Sequence, residues 1–189
     1  MIKQPSHRQW VLAALEEFEC RLVRFAARLL LGDEDAARDV VQHTFLRLCD
    51  QSRDEIGGRL AAWLFTVCRN RALDALRIRG REKPLTDETP TNGDGPICRR
   101  ELEPAEIVQQ RELGQIIQRL VRELPAAQRE ALDLWSEGFT YREIAEIIDK
   151  QEGHVRVLVH RGLKSLRGEP RIQGWLHADE PRRGKQTVT

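Results

Sequence analysis

From Trp10 to Leu31 the apolar residues Leu22, Phe25, Ala26, Leu29 and Leu30 recur at i, i+3, i+4, i+7 and i+8. That spacing gives a helix one continuous face to bury. Gly32 closes the helix, and Asp33 suits the N-cap of a second one, with Glu34 and Asp35 in the first turn, where the helix dipole favours negative charge. The second helix runs to about Asp50 and places Val41, Phe45 and Leu48 on its buried side. The Gly57-Gly58 pair of "SRDEIGGR" breaks helical continuity. A third helix then aligns Ala61, Leu64, Cys68, Ala72, Ala75 and Leu76. Strand signals are missing: no β-branched run alternates, and no Asn-Gly turn joins two apolar segments.

Residues 80–104, "GREKPLTDETPTNGDGPICRRELEP", set prolines and glycines among charges, with little apolar surface to bury. A flexible linker is expected. Helical periodicity resumes with Ile107, Leu113, Ile116, Ile117 and Leu120. Pro125 restarts the chain, "AAQREALDLWSEG" ends at Gly138, and Thr140 with Glu143 forms a capping box. The helix it opens ends near Ile148. A break over Asp149, Lys150 and Gln151 leads into a helix that Gly168 and Pro170 stop after Arg167. The expectation is an all-α chain of two small helical domains, 8–80 and 105–168. A linker over 81–104 joins them, and a tail over 169–189 follows.

The last two helices have the outline of a helix-turn-helix. Val155, Leu158, Val159, Gly162, Leu163 and Leu166 form a complete buried stripe on the second. Opposite lie His154, Arg156, Val157, His160, Arg161 and Lys164. Such a basic face suits the DNA major groove, where phosphates attract it and arginine reads guanine edges. Taken alone, the same stripe also fits a surface helix with a solvated basic face. The third helix likewise gathers Thr66, Arg69, Asn70, Asp74 and Arg77 on one side, and arginines outnumber acids along it. The second helix carries the opposite sign, with Asp33, Glu34, Asp35, Asp39 and Asp50 against two arginines. Two different partners are implied, one basic and one nucleic acid.

Bulk composition conceals this. Among 189 residues, 40% are hydrophobic, 32% are charged, and the net charge is +1, so a nucleic-acid partner shows only in the local distribution. Cys20, Cys49, Cys68 and Cys98 stand apart with no C-x-x-C or paired-histidine spacing, which argues for idle thiols rather than zinc or a disulfide framework. An apolar signal core and a membrane-length apolar run are both missing, so a cytoplasmic protein without membrane insertion is expected. No nucleophile–base arrangement, phosphate loop or metal cluster is visible. Neither an enzyme nor a cofactor is expected.

Three stretches, "DAARDVVQHTFLRLCD", "AAWLFTVCRNRALDALR" and "LPAAQREALDLWSEGFTYREIAEIIDKQEGHVRVLVHRGLKSLR", resemble in order and spacing the bacterial RNA polymerase sigma factors. Within the sigma-70 family, the extracytoplasmic-function (ECF) group is the most similar. The resemblance implies no catalysis. It implies that Asp39, Gln42 and His43 dock on core RNA polymerase, with His43 where the family has Glu and Phe45 turned to the core. It implies that Trp63, Thr66, Arg69, Asn70, Asp74 and Arg77 meet the promoter −10 element. The preceding loop, Gln51 to Arg59, would capture a flipped base, at a cost of a few kcal/mol that contacts and stacking must offset. His154, Arg156, Val157, His160, Arg161 and Lys164 would read the −35 element.

In the turn, Asp149 replaces the family's glycine, Lys150 an apolar residue and Gln151 the serine cap. The last change forgoes about 1 kcal/mol of capping. An anti-sigma factor is implied as a further partner. The rival reading is a stand-alone helix-turn-helix regulator, which would not need the acidic second helix.

Overall fold

Helix α1 (His7–Leu29) starts three residues ahead of Trp10 because Ser6 and Gln9 form a capping box. Gln9 N–H donates to Ser6 Oγ at 3.3 Å, and Ser6 N–H donates to Gln9 Oε1 at 2.8 Å. The computed structural model describes residues 6–82, 117 and 119–167. After α1, Leu31 and Gly32 take positive φ values of 60° and 94°, turning the chain sharply. Helix α2 (Glu34–Cys49) follows, capped as expected by Asp33, whose Oδ1 accepts from Ala36 N–H at 2.9 Å.

The segment expected to be a loop contains helical turns. Ser52 Oγ accepts from Asp54 N–H and starts α3 (Arg53–Ile56), and a 3₁₀ turn over Gly57–Arg59 leads into α4 (Leu60–Glu82). Gly57 makes the join possible. Its φ of 59° and ψ of −145° lie in a region essentially closed to other residues.

Helices α1, α2 and α4 pack on one another around Leu22, Phe25, Val41, Phe45, Leu48, Leu64, Phe65 and Cys68, all buried. Leu29, Ala61, Ala75 and Leu76 are half-buried. Thr44, also buried, satisfies its hydroxyl by donating to the Val40 carbonyl at 2.8 Å. Burial pushes the Cys68 thiol up to about 12, against a smaller opposing pull from Thr44. Cys49 and Cys68 are free, but Cys20 is held in a disulfide, which corrects the expectation of idle thiols. A lone cysteine carries no local signal of pairing.

Residues 119–123 are helical, and three helices follow: α5 (Ala126–Ser136), α6 (Tyr141–Ile148) and α7 (Glu152–Arg167). The capping box of α6 forms as expected, with Thr140 N–H donating to Glu143 Oε2 at 2.8 Å. Asp149 ends α6 in the left-handed region, with φ 52° and ψ 58°. By its contacts the chain divides into two units, Met1–Arg100 with Asp133–Glu152, and Glu101–Leu132 with Gly153–Thr189. The end of α5 and all of α6 thus pack in the same unit as α1 and α4. In the other unit α7 approaches α5 so closely that a Cβ on Gly162 would lie 2.4 Å from Leu132 Cδ1. Most of the expected linker, with Ile107, Leu113 and Ile116 after it, and the tail with Trp175 fall outside the described residues.

Candidate nucleic-acid interface

Three exposed faces carry the predicted residues, one on each of α2, α4 and α7. On α2, Asp39 and Gln42 are exposed and His43 is half-buried, while Phe45 is buried at 7% exposure, as expected. Leu46 shares the outer face one or two turns away, and it is 58% exposed. The sequence carried its signal, since Leu46 falls at i+7 from Asp39 and i+4 from Gln42.

On α4, Trp63, Thr66 and Arg69 are half-buried, and Asn70, Asp74 and Arg77 are exposed. Thr66 spends its hydroxyl proton on the Ala62 carbonyl at 2.7 Å. A cleft of about 190 Å³ is lined by Glu55, Ile56, Arg59, Ala62, Trp63, Thr66 and Glu146. The segment before α4 therefore meets Trp63 and Thr66 at one concavity. Glu55, Ile56 and Arg59 belong to the Gln51–Arg59 segment expected beside this site, whereas Ala62 and Glu146 were not foreseen. Arg77 Nη1 is 2.8 Å from Asp74 Oδ1, and Arg79 Nη1 is 2.7 Å from Asp33 Oδ2. The basic face of α4 is thus partly neutralised, and Arg79 serves the fold.

On α7 the division between faces is clean. Val155, Leu158, Val159, Gly162 and Leu166 are buried, and Leu163 is half-buried. His154, Arg156, Val157, His160, Arg161 and Lys164 are all exposed, Val157 by 43%. Arg and Lys on one side of a regular helix offer phosphate contacts and base-edge donors together.

The sigma-70 region 2 family model matches residues 15–82, and the sigma-70 region 4 model matches residues 114–166. The ECF RNA polymerase sigma-E factor of Escherichia coli strain K12 is 30% identical over 135 residues, covering 68% of this chain and 70% of that protein. The chain belongs to the ECF sigma factors. The ECF RNA polymerase sigma factor SigE of Mycolicibacterium smegmatis is 32% identical over 148 residues, which are 78% of this chain but only 56% of that protein. Among solved structures, the sigma factor RpoE of Bartonella quintana, in complex with the anti-sigma factor NepR, superposes with a TM-score of 0.61. Its identity is 28%, over 82% of this sigma factor and 95% of that chain. Sigma factors are non-catalytic transcription initiation factors, and the region 2 and region 4 matches fall in the order expected from the motifs. Among the described residues no helix is long and apolar enough to cross a membrane.

Proposed function

We propose that this sigma factor directs core RNA polymerase to promoters through three separate faces. The α2 face of Asp39, Gln42 and His43, extended by Leu46, docks on polymerase. The cleft beside Trp63 and Thr66, with Arg69, Asn70, Asp74 and Arg77 along α4, takes the −10 element and holds its displaced strand. The face of α7 from His154 to Lys164 lies in the major groove of the −35 element. The protein carries out no covalent chemistry and acts in the cytoplasm, where an anti-sigma factor restrains it.

One observation carries most of this reading. All six residues expected to read the −35 duplex are exposed on one helix, whose opposite stripe is buried. A helix with that division can enter a groove without disturbing its own support. The acidic, partly apolar face of α2 favours a sigma factor over a lone regulator, which has no use for it. The test is reconstitution with core polymerase on genomic DNA, followed by sequencing of transcript 5′ ends. Start sites sharing paired upstream elements are expected. A failure to direct any start site, with regulators removed, would overturn the reading.

A further inference from the structure

The cleft beside Trp63 and Thr66 is not walled by α4 and its preceding turns alone. Glu146, from the middle of α6, lines it too. Contacts of two kinds hold α6 in this place. Phe139, just ahead of α6, stands edge-on to Phe65 of α4, with ring centroids 4.9 Å apart and both rings buried. On α1, Arg21 Nε donates to Glu137 Oε2 at 2.8 Å, and Arg21 Nη2 donates to the Glu137 carbonyl at 2.9 Å. Arg28 adds to this. Its Nε lies 3.0 Å from Asp133 Oδ1, near enough to pair though not aligned as a hydrogen bond, and its Nη2 is 3.5 Å from Glu137 Oε1.

These contacts are selective as well as attractive. The side chains of Asp133 and Glu137 are only 10% exposed, so each carboxylate has given up water for its arginines. Removing one partner from such a pair leaves a charge poorly solvated, which makes the docking depend on the pairing. The arginines remain about one-third exposed, so water and competing charges can reach them. Glu146, 3.6 Å from Arg142 Nε on the same helix, occupies part of the cleft wall, so α6 obstructs the cleft by its bulk more than by charge.

We infer that Asp133–Ile148 is an autoinhibitory cover: while Arg21 and Arg28 hold Glu137 and Asp133, α6 keeps single-stranded DNA from the cleft beside Trp63. The inference rests on reading that cleft as the −10 site. The cover must lift before the cleft is filled, so the apparent affinity for single strands is lowered by the fraction of molecules that are closed.

The decisive variant is Arg21→Glu in the full chain. It opposes Glu137 with a like charge, yet it makes the protein more acidic, so non-specific attraction to DNA falls. A fluorescein-labelled, random-sequence single-stranded 20-mer serves as probe, read by anisotropy. Hydrogen–deuterium exchange is followed in peptides containing Trp63 and Thr66. Arg21→Glu is expected to bind the probe about five- to tenfold more tightly, with faster exchange at those peptides. The charge-swapped Arg21→Glu/Glu137→Arg protein returns both values towards wild type. Should Arg21→Glu melt far below wild type, Glu137→Gln is the substitute and shows the same direction. Affinity at or below the wild-type value in the folded variant overturns the cover. The reading of the cleft is judged separately, because Trp63→Ala must weaken whatever binding the wild type shows.

Discussion

Arg79 Nη1 of α4 lies 2.7 Å from Asp33 Oδ2, while the other oxygen of the same carboxylate caps α2 at Ala36 N–H. One side chain thus starts a helix and ties it to its neighbour. The Ala36 hydrogen bond, followed by Arg79, holds the Asp33 carboxyl below its ordinary 3.8. Asp33→Ala should cost about 1–2 kcal/mol in urea unfolding at pH 7, and Asp33→Asn, which keeps an acceptor, clearly less. A depressed pKa stabilises the fold above about pH 4, and that contribution is lost as pH falls through the folded value. The gap between wild type and Asp33→Ala should therefore narrow by pH 3.

Cys68 has the opposite sign. With its thiol raised to about 12, the folded state holds the proton after an unfolded cysteine has released it near 9. Its contribution is complete below pH 9 and disappears as pH rises towards 12. Wild type should lose more melting temperature between pH 9 and 11 than Cys68→Ala. At pH 8, peptide mapping after iodoacetamide should find exposed Cys49 alkylated and Cys68 spared until the chain unfolds.

Gly162 is a poor helix former in the middle of α7, disfavoured by about 1 kcal/mol against alanine. The approach of Leu132 accounts for it. Gly162→Val should destabilise by about 1–3 kcal/mol in denaturant titration, because the helix gains a side chain for which there is no room. Gly162→Ala should be milder, since Leu132 can shift its flexible end while the helix gains propensity.

The proposed faces separate in function. Arg161→Ala should weaken binding to a −35 duplex and lower the slope of log affinity against log salt by about one. Asp39→Ala should leave duplex binding intact and impair assembly with core polymerase, read by native gel shift. An equal duplex defect in both would refute the division of labour.

Much of this was legible in sequence because helices leave a periodic trace. The stripes of α1, α2 and α7 were read from spacing, and so was the capping box at Thr140. The turns from Arg53 to Arg59 were not, since a four-residue helix is too short to show a period and the glycine pair argued against one. Contacts between distant positions left no trace at all. Arg21 and Glu137 are 116 residues apart, and nothing around either predicts the other. Phe139 stands between a terminating glycine and a cap, where no period marks it, yet it is buried on Phe65. Leu46 was recoverable from its place on the Asp39 face, whereas Glu146 at the cleft was not.

The grouping of Asp133–Glu152 with the front helices bears on how the molecule can be dissected. Cutting at the proline-rich tether would not yield half of the protein in its native condition. It would strip Phe65 and two arginines of the surface they now face, leaving an aromatic ring wet and two cations unmatched. Any stickiness or heightened DNA avidity of such a fragment would reflect the missing lid rather than an innate property of region 2.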